Sequence, residues 1–214
     1  YIQMGILLVV ILSLPLWNRN HTETEEHNKY TAGIKETIKV PGVILTLIAF
    51  FSYCSGEATC FLWTSSYFAG TKEGLSDGLI ASFGSLIFGG LMLGRLISGF
   101  VSKRVNDKTL IRIGIITELA GIFMVMLPAN GYVLTAFGFL IIGTGMGPIY
   151  PAIQHMAPEK FGKEYSAAVI GLQMASAYVG STFMPMIFGQ LQQLIGIWIM
   201  PFYLLIFAIL NICL

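Results

Sequence analysis

The chain has 214 residues, of which 55% are hydrophobic and only 11% charged, and its formal net charge is +1. With a mean hydropathy of +0.76 against the roughly 25% charged residues usual in soluble domains, a soluble fold is excluded. The near-zero charge gives no reason to expect a nucleic-acid partner, and Cys54, Cys60 and Cys213 lie in apolar runs as small buried hydrophobes, without metal-site spacing.

A membrane-spanning helix needs about 20 mostly apolar residues, and in lipid its backbone must satisfy its own hydrogen bonds. The apolar runs are long and continuous and show no strand-like alternation, so helices are expected rather than a barrel. Seven spans follow in chain order: Tyr1–Trp17, Pro41–Gly70, Gly78–Val101, Thr109–Leu127, Tyr132–Met156, Ala167–Leu191 and Ile195–Leu214. The fold class is therefore an all-α membrane protein. Tyr1 opens directly in an apolar run, with no signal peptide before it, and Leu214 closes one abruptly. The chain is thus expected to be cut at both ends.

The link Asn18–Lys39 holds His21 and His27 among Glu23, Glu25 and Glu26, and reads as a solvated segment rather than a metal site. Pro41 suits a helix N1 position, Ser76 or Asp77 an N-cap, and Asn130-Gly131 a tight turn. Loops on one side carry Arg19, Lys29, Lys35, Lys39, Lys103, Arg104, Lys108, Arg112, Lys160 and Lys163, and those on the other only Lys72. That asymmetry makes the basic side cytoplasmic. Small residues recur every four positions at Gly90/Gly94/Ser98, Gly143/Gly147/Pro151 and Ala167/Gly171/Ala175, a spacing that lets helix backbones approach.

Among the polar residues inside spans, Glu57 is the most informative. It lies about 16 residues into its helix, where a carboxyl must face water, a partner or a proton. It could bind a hydroxyl-rich substrate, take part in proton coupling, or stay a neutral acid tied to a neighbouring helix. Tyr53 lies one turn before it and shares its face. Trp63 and Tyr67 follow further along: Trp63 is a candidate platform for a sugar ring or an interface anchor, Tyr67 an anchor near the outer end. Tyr150 precedes Gln154 by one turn, and Gln154 and Gln173 suit either a hydroxyl-rich ligand or glue between helices. Arg95 and Glu118, on consecutive spans, are expected to pair at a cytoplasmic gate, with the Glu159 region as the alternative partner. A snorkelling Arg95 is the plainer reading. His155 has a capping or interface role. Gly143-Thr-Gly145-Met-Gly147 lies inside an apolar span without a βαβ context, so it is no nucleotide loop; with Pro148 and Pro151 it predicts a kinked helix.

Two stretches carry a family resemblance. Gly94-Arg95-Leu-Ile-Ser98-Gly99 through Lys103-Arg104-Val-Asn-Asp107-Lys108 resembles the loop signature of the major facilitator superfamily. Gly99, Arg104 and Lys108 fit that signature and join Arg95 and Glu118 as gating candidates, whereas Lys103 stands where the family often has Asp and Asn106 where it often has Gly. Tyr53-Cys-Ser-Gly56-Glu57 with Trp63-Thr-Ser-Ser-Tyr67, and Gly143 through Pro151, are similar to the seventh and tenth helices of the fucose permease group. The resemblance implies helices 6–12 of a twelve-helix transporter. Residues 1–17 would then be the last helix of an otherwise missing N-terminal half, 18–40 a cytoplasmic link, and 41–214 a C-terminal six-helix domain. It further implies a multi-pass protein of the inner (cytoplasmic) membrane without cofactors, carrying a monosaccharide-like solute in symport with protons by alternating access. A drug or metabolite exporter of the same superfamily is the alternative. A seven-helix receptor and a membrane enzyme fit less well. No outer-loop cysteine or last-span lysine supports the first, and the three histidines are too scattered for the second.

Overall fold

The computed structural model describes residues 33–102, 104–128 and 131–212. The span expected over Tyr1–Trp17, the histidines of the link, Lys103, Asn130 and Cys213 lie outside the described residues, as does the side chain of Lys163. A short turn of helix, α1 (Ile34–Thr37), precedes α2 (Val43–Thr71), α3 (Asp77–Val101) and α4 (Asp107–Met126). Then follow α5 (Val133–Gly162), α6 (Glu164–Ile195) and the shorter apolar α7 (Ile197–Ile212). Helices α2 to α6 are each long and apolar enough to cross a membrane.

The local signals explain most boundaries. Ser76 caps α3 by accepting from the Leu79 amide at 3.4 Å, and Asn106 caps α4 by accepting from the Lys108 amide at 3.2 Å. Pro41 is not at N1: α2 begins two residues later, after Gly42 turns the chain at φ 89°. Helices α5 and α6 join without a loop at Gly162, whose φ of 77° is open to glycine at little cost.

Helix order in space differs from order in the chain. Helix α5 lies between α3 and α4, while α2 packs on α3, α6 and α7, and α7 closes back on α4. Small residues set these crossings. A side chain at Gly94 would collide with the Thr144 carbonyl, and one at Gly147 would come 2.7 Å from the Gly94 backbone. On the other flank a β-carbon at Gly114 would come 2.7 Å from the Gly145 carbonyl oxygen, and one at Gly121 2.7 Å from that of Gly138. The glycines of the first two ladders therefore sit at backbone contacts, while Ser98 and Pro151, which end them, line the larger concavity. The third ladder does not: Ala167, Gly171 and Ala175 are exposed. Helix α5 is interrupted at Gly147-Pro148, as the glycines and prolines predict.

Candidate functional site

Near the middle of α2, polar side chains meet. The Tyr53 hydroxyl donates to the Glu57 carboxylate at 3.0 Å, so the four-residue spacing does place both on one face. From α3, the Arg95 guanidinium comes within 3.7 Å of the same carboxylate. Glu57 is 17% exposed and Arg95 50%. Both side chains therefore remain within reach of a solute at this face.

Tyr150 of α5 stands beside this group, its ring 6.1 Å from Tyr53 and 5.0 Å from Phe50. It accepts from Gln154 at 3.4 Å and points its hydroxyl at the Met174 sulfur of α6 at 3.7 Å. Tyr150 is also the wall shared by two concavities. One, of about 270 Å³, is lined by Glu57, Phe61, Met174, Tyr178 and Ser181 among others. The larger, of about 650 Å³, runs toward the basic end between α3, α4 and α5, past Arg95, Ser98, Gly99 and His155. Along its wall His155 Nδ1 meets Asp107 at 2.7 Å, linking α5 to α4.

Of the residues expected at a binding site, Tyr53, Glu57, Tyr150 and Gln154 are brought together. Trp63 is not: its indole N–H donates to the Pro185 carbonyl at 3.2 Å and its ring packs edge-on to Phe188, holding α2 to α6. Gln173 is fully buried between helices, and neither amide atom has a hydrogen-bond partner among the described residues. Tyr67 is no interface anchor; it is buried against Phe68 and Phe139.

Of the gate residues, Arg95 and Gly99 line the larger concavity, and Arg104 is exposed in the basic loop. Lys108 lies instead on a separate cavity. The expected Arg95–Glu118 pair does not form, because α5 lies between α3 and α4. Glu118 is 2% exposed against Gly145, with one carboxyl oxygen unpartnered among the described residues.

The sequence reading missed the α6 wall. Met174, Tyr178 and Ser181 repeat at helical spacing on one face, which was its available signal.

The comparisons agree with this architecture. A family model described as Major Facilitator Superfamily matches residues 1–185. Bypass of stop codon protein 6 of Saccharomyces cerevisiae is 25% identical over 186 residues, covering 82% of this chain and 37% of that protein. The crystal structure of a Major Facilitator Superfamily transporter, FucP, in the outward conformation superposes with a TM-score of 0.69 at 13% identity. That match covers 82% of this chain and 42% of the other, so the chain spans well under half the length of either relative. Among the described residues, a bundle of six helices built on glycine crossings, with an acid and a guanidinium beside two concavities, thus meets a family match over most of the sequence: the chain belongs to the Major Facilitator Superfamily, a family of transporters.

Proposed function

We propose that this chain is the C-terminal half of a secondary active transporter that carries a small hydroxyl-rich solute, such as a monosaccharide, in symport with protons. Residues 1–17 and 18–40 would be the last helix of the N-terminal half and a cytoplasmic link, and a further six-helix half would complete the cavity in the cell membrane. The observation that carries this reading is the Tyr53–Glu57–Arg95 group beside Tyr150, where two concavities meet. A carboxylate, a guanidinium and two phenols supply hydroxyl acceptors and donors, and an aromatic ring gives an apolar platform for sugar C–H faces.

In this mechanism a solute hydroxyl donates to Glu57 in place of Arg95. The released Arg95 then frees α3 to move against α2, and access passes from one side to the other. Glu57 serves as a binding group, and a proton on it would favour release of Arg95 in the same way.

One observation favours a second reading. The smaller concavity is also lined by Cys54, Ala58, Phe61, Met174 and Ala177, an apolar surface suited to the more greasy cargo of a drug or metabolite exporter.

Reconstituting the complete transporter in proteoliposomes tests both. Under an inward proton gradient, monosaccharide uptake by the parent that Glu57→Gln loses supports sugar symport. If folded protein takes up no monosaccharide but extrudes amphipathic cations, the exporter reading replaces it.

A further inference from the structure

A third cavity, of about 370 Å³, lies between α4, α5 and α7 and shares no lining residue with the two concavities that meet at Tyr150. Lys108 and Arg112, one turn apart on α4, line its basic end, and Ile116, Leu119 and Ile212 line the apolar remainder. Residues 108, 112, 116 and 119 form a single stripe along α4, so the charges sit at the level of the basic loop and the aliphatic groups at greater depth. Neither cation forms an ion pair among the described residues, and the acid beside them, Asp107, is engaged by His155. The surface around the stripe is apolar: Ile113 and Phe123 on α4, and Phe202, Ile206 and Ile209 on α7, are all half or more exposed or nearly so. It has the character of a surface turned to hydrocarbon. Asn211, only 2% exposed, also lines the cavity, and its amide oxygen has no hydrogen-bond partner among the described residues.

We propose that this cavity binds one anionic phospholipid. Its phosphate lies between Lys108 and Arg112, with Ile212 beside the headgroup, and an acyl chain runs over Ile116 and Leu119. Paired cations match a phosphate in charge, and basic pockets between membrane helices suit anionic headgroups. A choline headgroup brings its own cation beside its phosphate, which Lys108 and Arg112 repel, whereas a glycerol or inositol headgroup brings none. An occupant of this kind would hold α7 to α4 where they meet at the basic end.

Native mass spectrometry of the full chain, purified in mild detergent with equal phosphatidylinositol and phosphatidylcholine, tests the proposal. Phosphatidylinositol is expected to stay bound and phosphatidylcholine to wash away. Lys108→Gln with Arg112→Gln should lower phosphatidylinositol retention about tenfold. Arg112→Lys should retain it, and Leu119→Trp, which fills the apolar part, should lose it. Equal retention of both lipids by the parent overturns the proposal without recourse to any variant. So does retention by the double variant at the parent's level. Displacement of the lipid by inorganic phosphate at matching concentration would show that the cations read a free anion only, and would overturn it equally.

Discussion

The Arg95 guanidinium on α3 lies 3.7 Å from the Glu57 carboxylate on α2, and that carboxylate also accepts from Tyr53 at 3.0 Å. One acid therefore carries a hydrogen-bond donor from its own helix and a cation from the next. The arrangement holds α2 to α3 through a contact that a competing hydroxyl can replace.

If that contact is exchanged during transport, Glu57→Gln and Arg95→Gln each lower the initial uptake rate, by about tenfold or more. The double variant falls no further than the worse single one, because both changes remove the same interaction. Initial rates of the four proteins give the coupling directly. Strictly additive losses would mean that the two residues act separately.

Exchanging charges between Arg95 and Glu118 should rescue nothing. With α5 between their helices, an arginine at 118 is placed in a tight site beside Gly145 without an acid to meet it. Glu118→Gln keeps shape and removes a potential buried charge, so its melting temperature should stay at or above the parent's. Uptake by the swap beside its two single variants checks the first statement, and a thermal melt of Glu118→Gln beside the parent checks the second. Recovery of uptake in the swap would restore the pairing that consecutive helices suggested.

Glycine ladders predict a sharp contrast. At Gly145 a β-carbon would meet the Glu118 backbone and come 2.6 Å from the Gly114 carbonyl oxygen, whereas at Gly78 nothing lies within 4 Å. Gly145→Ala should cost about 1–3 kcal/mol through overpacking, and Gly78→Ala should leave the melting temperature unchanged or slightly raised. Similar melting curves for the two would show that the α4–α5 crossing is looser than the contacts imply.

His155 and Asp107 bridge α5 to α4 along the wall of the larger concavity. Because His155 is largely exposed, its loss is expected to alter access rather than stability. A thiol placed at Ser102, which lines the same concavity, should react faster with a water-soluble maleimide in Asp107→Asn than in the parent. An unchanged labelling rate would mean that the bridge does not restrict entry.

Five of the seven expected spans are seen among the described residues as helices long and apolar enough to cross a membrane, and a sixth as the shorter apolar α7, because continuous apolar runs leave a chain few alternatives in lipid. The Tyr53–Glu57 contact was equally legible, since helical spacing alone dictates it. What could not be read was which helix neighbours which. Arg95 was matched with Glu118 from consecutive helices, yet α5 intervenes and turns Arg95 toward α2. The same gap misjudged Tyr67 and Trp63. Composition cannot distinguish an aromatic at a membrane interface from one packed on a helix more than 70 residues later, as Tyr67 is on Phe139. Gly171 shows the limit of motif spacing, because its ladder matches the buried ones in sequence but meets nothing within 4 Å.

The interruption at Gly147-Pro148 divides α5 into a portion clamped between two neighbours and a portion that buries Ile149 and Ile153 on one side and lines the larger concavity on the other. Tyr150 sits two residues past Pro148 and forms part of both concavities. Any movement of Tyr150 therefore works like a rocker switch. The stroke that narrows the passage toward the basic end also redraws the chamber beside Glu57, so neither compartment can change its shape unannounced to the other.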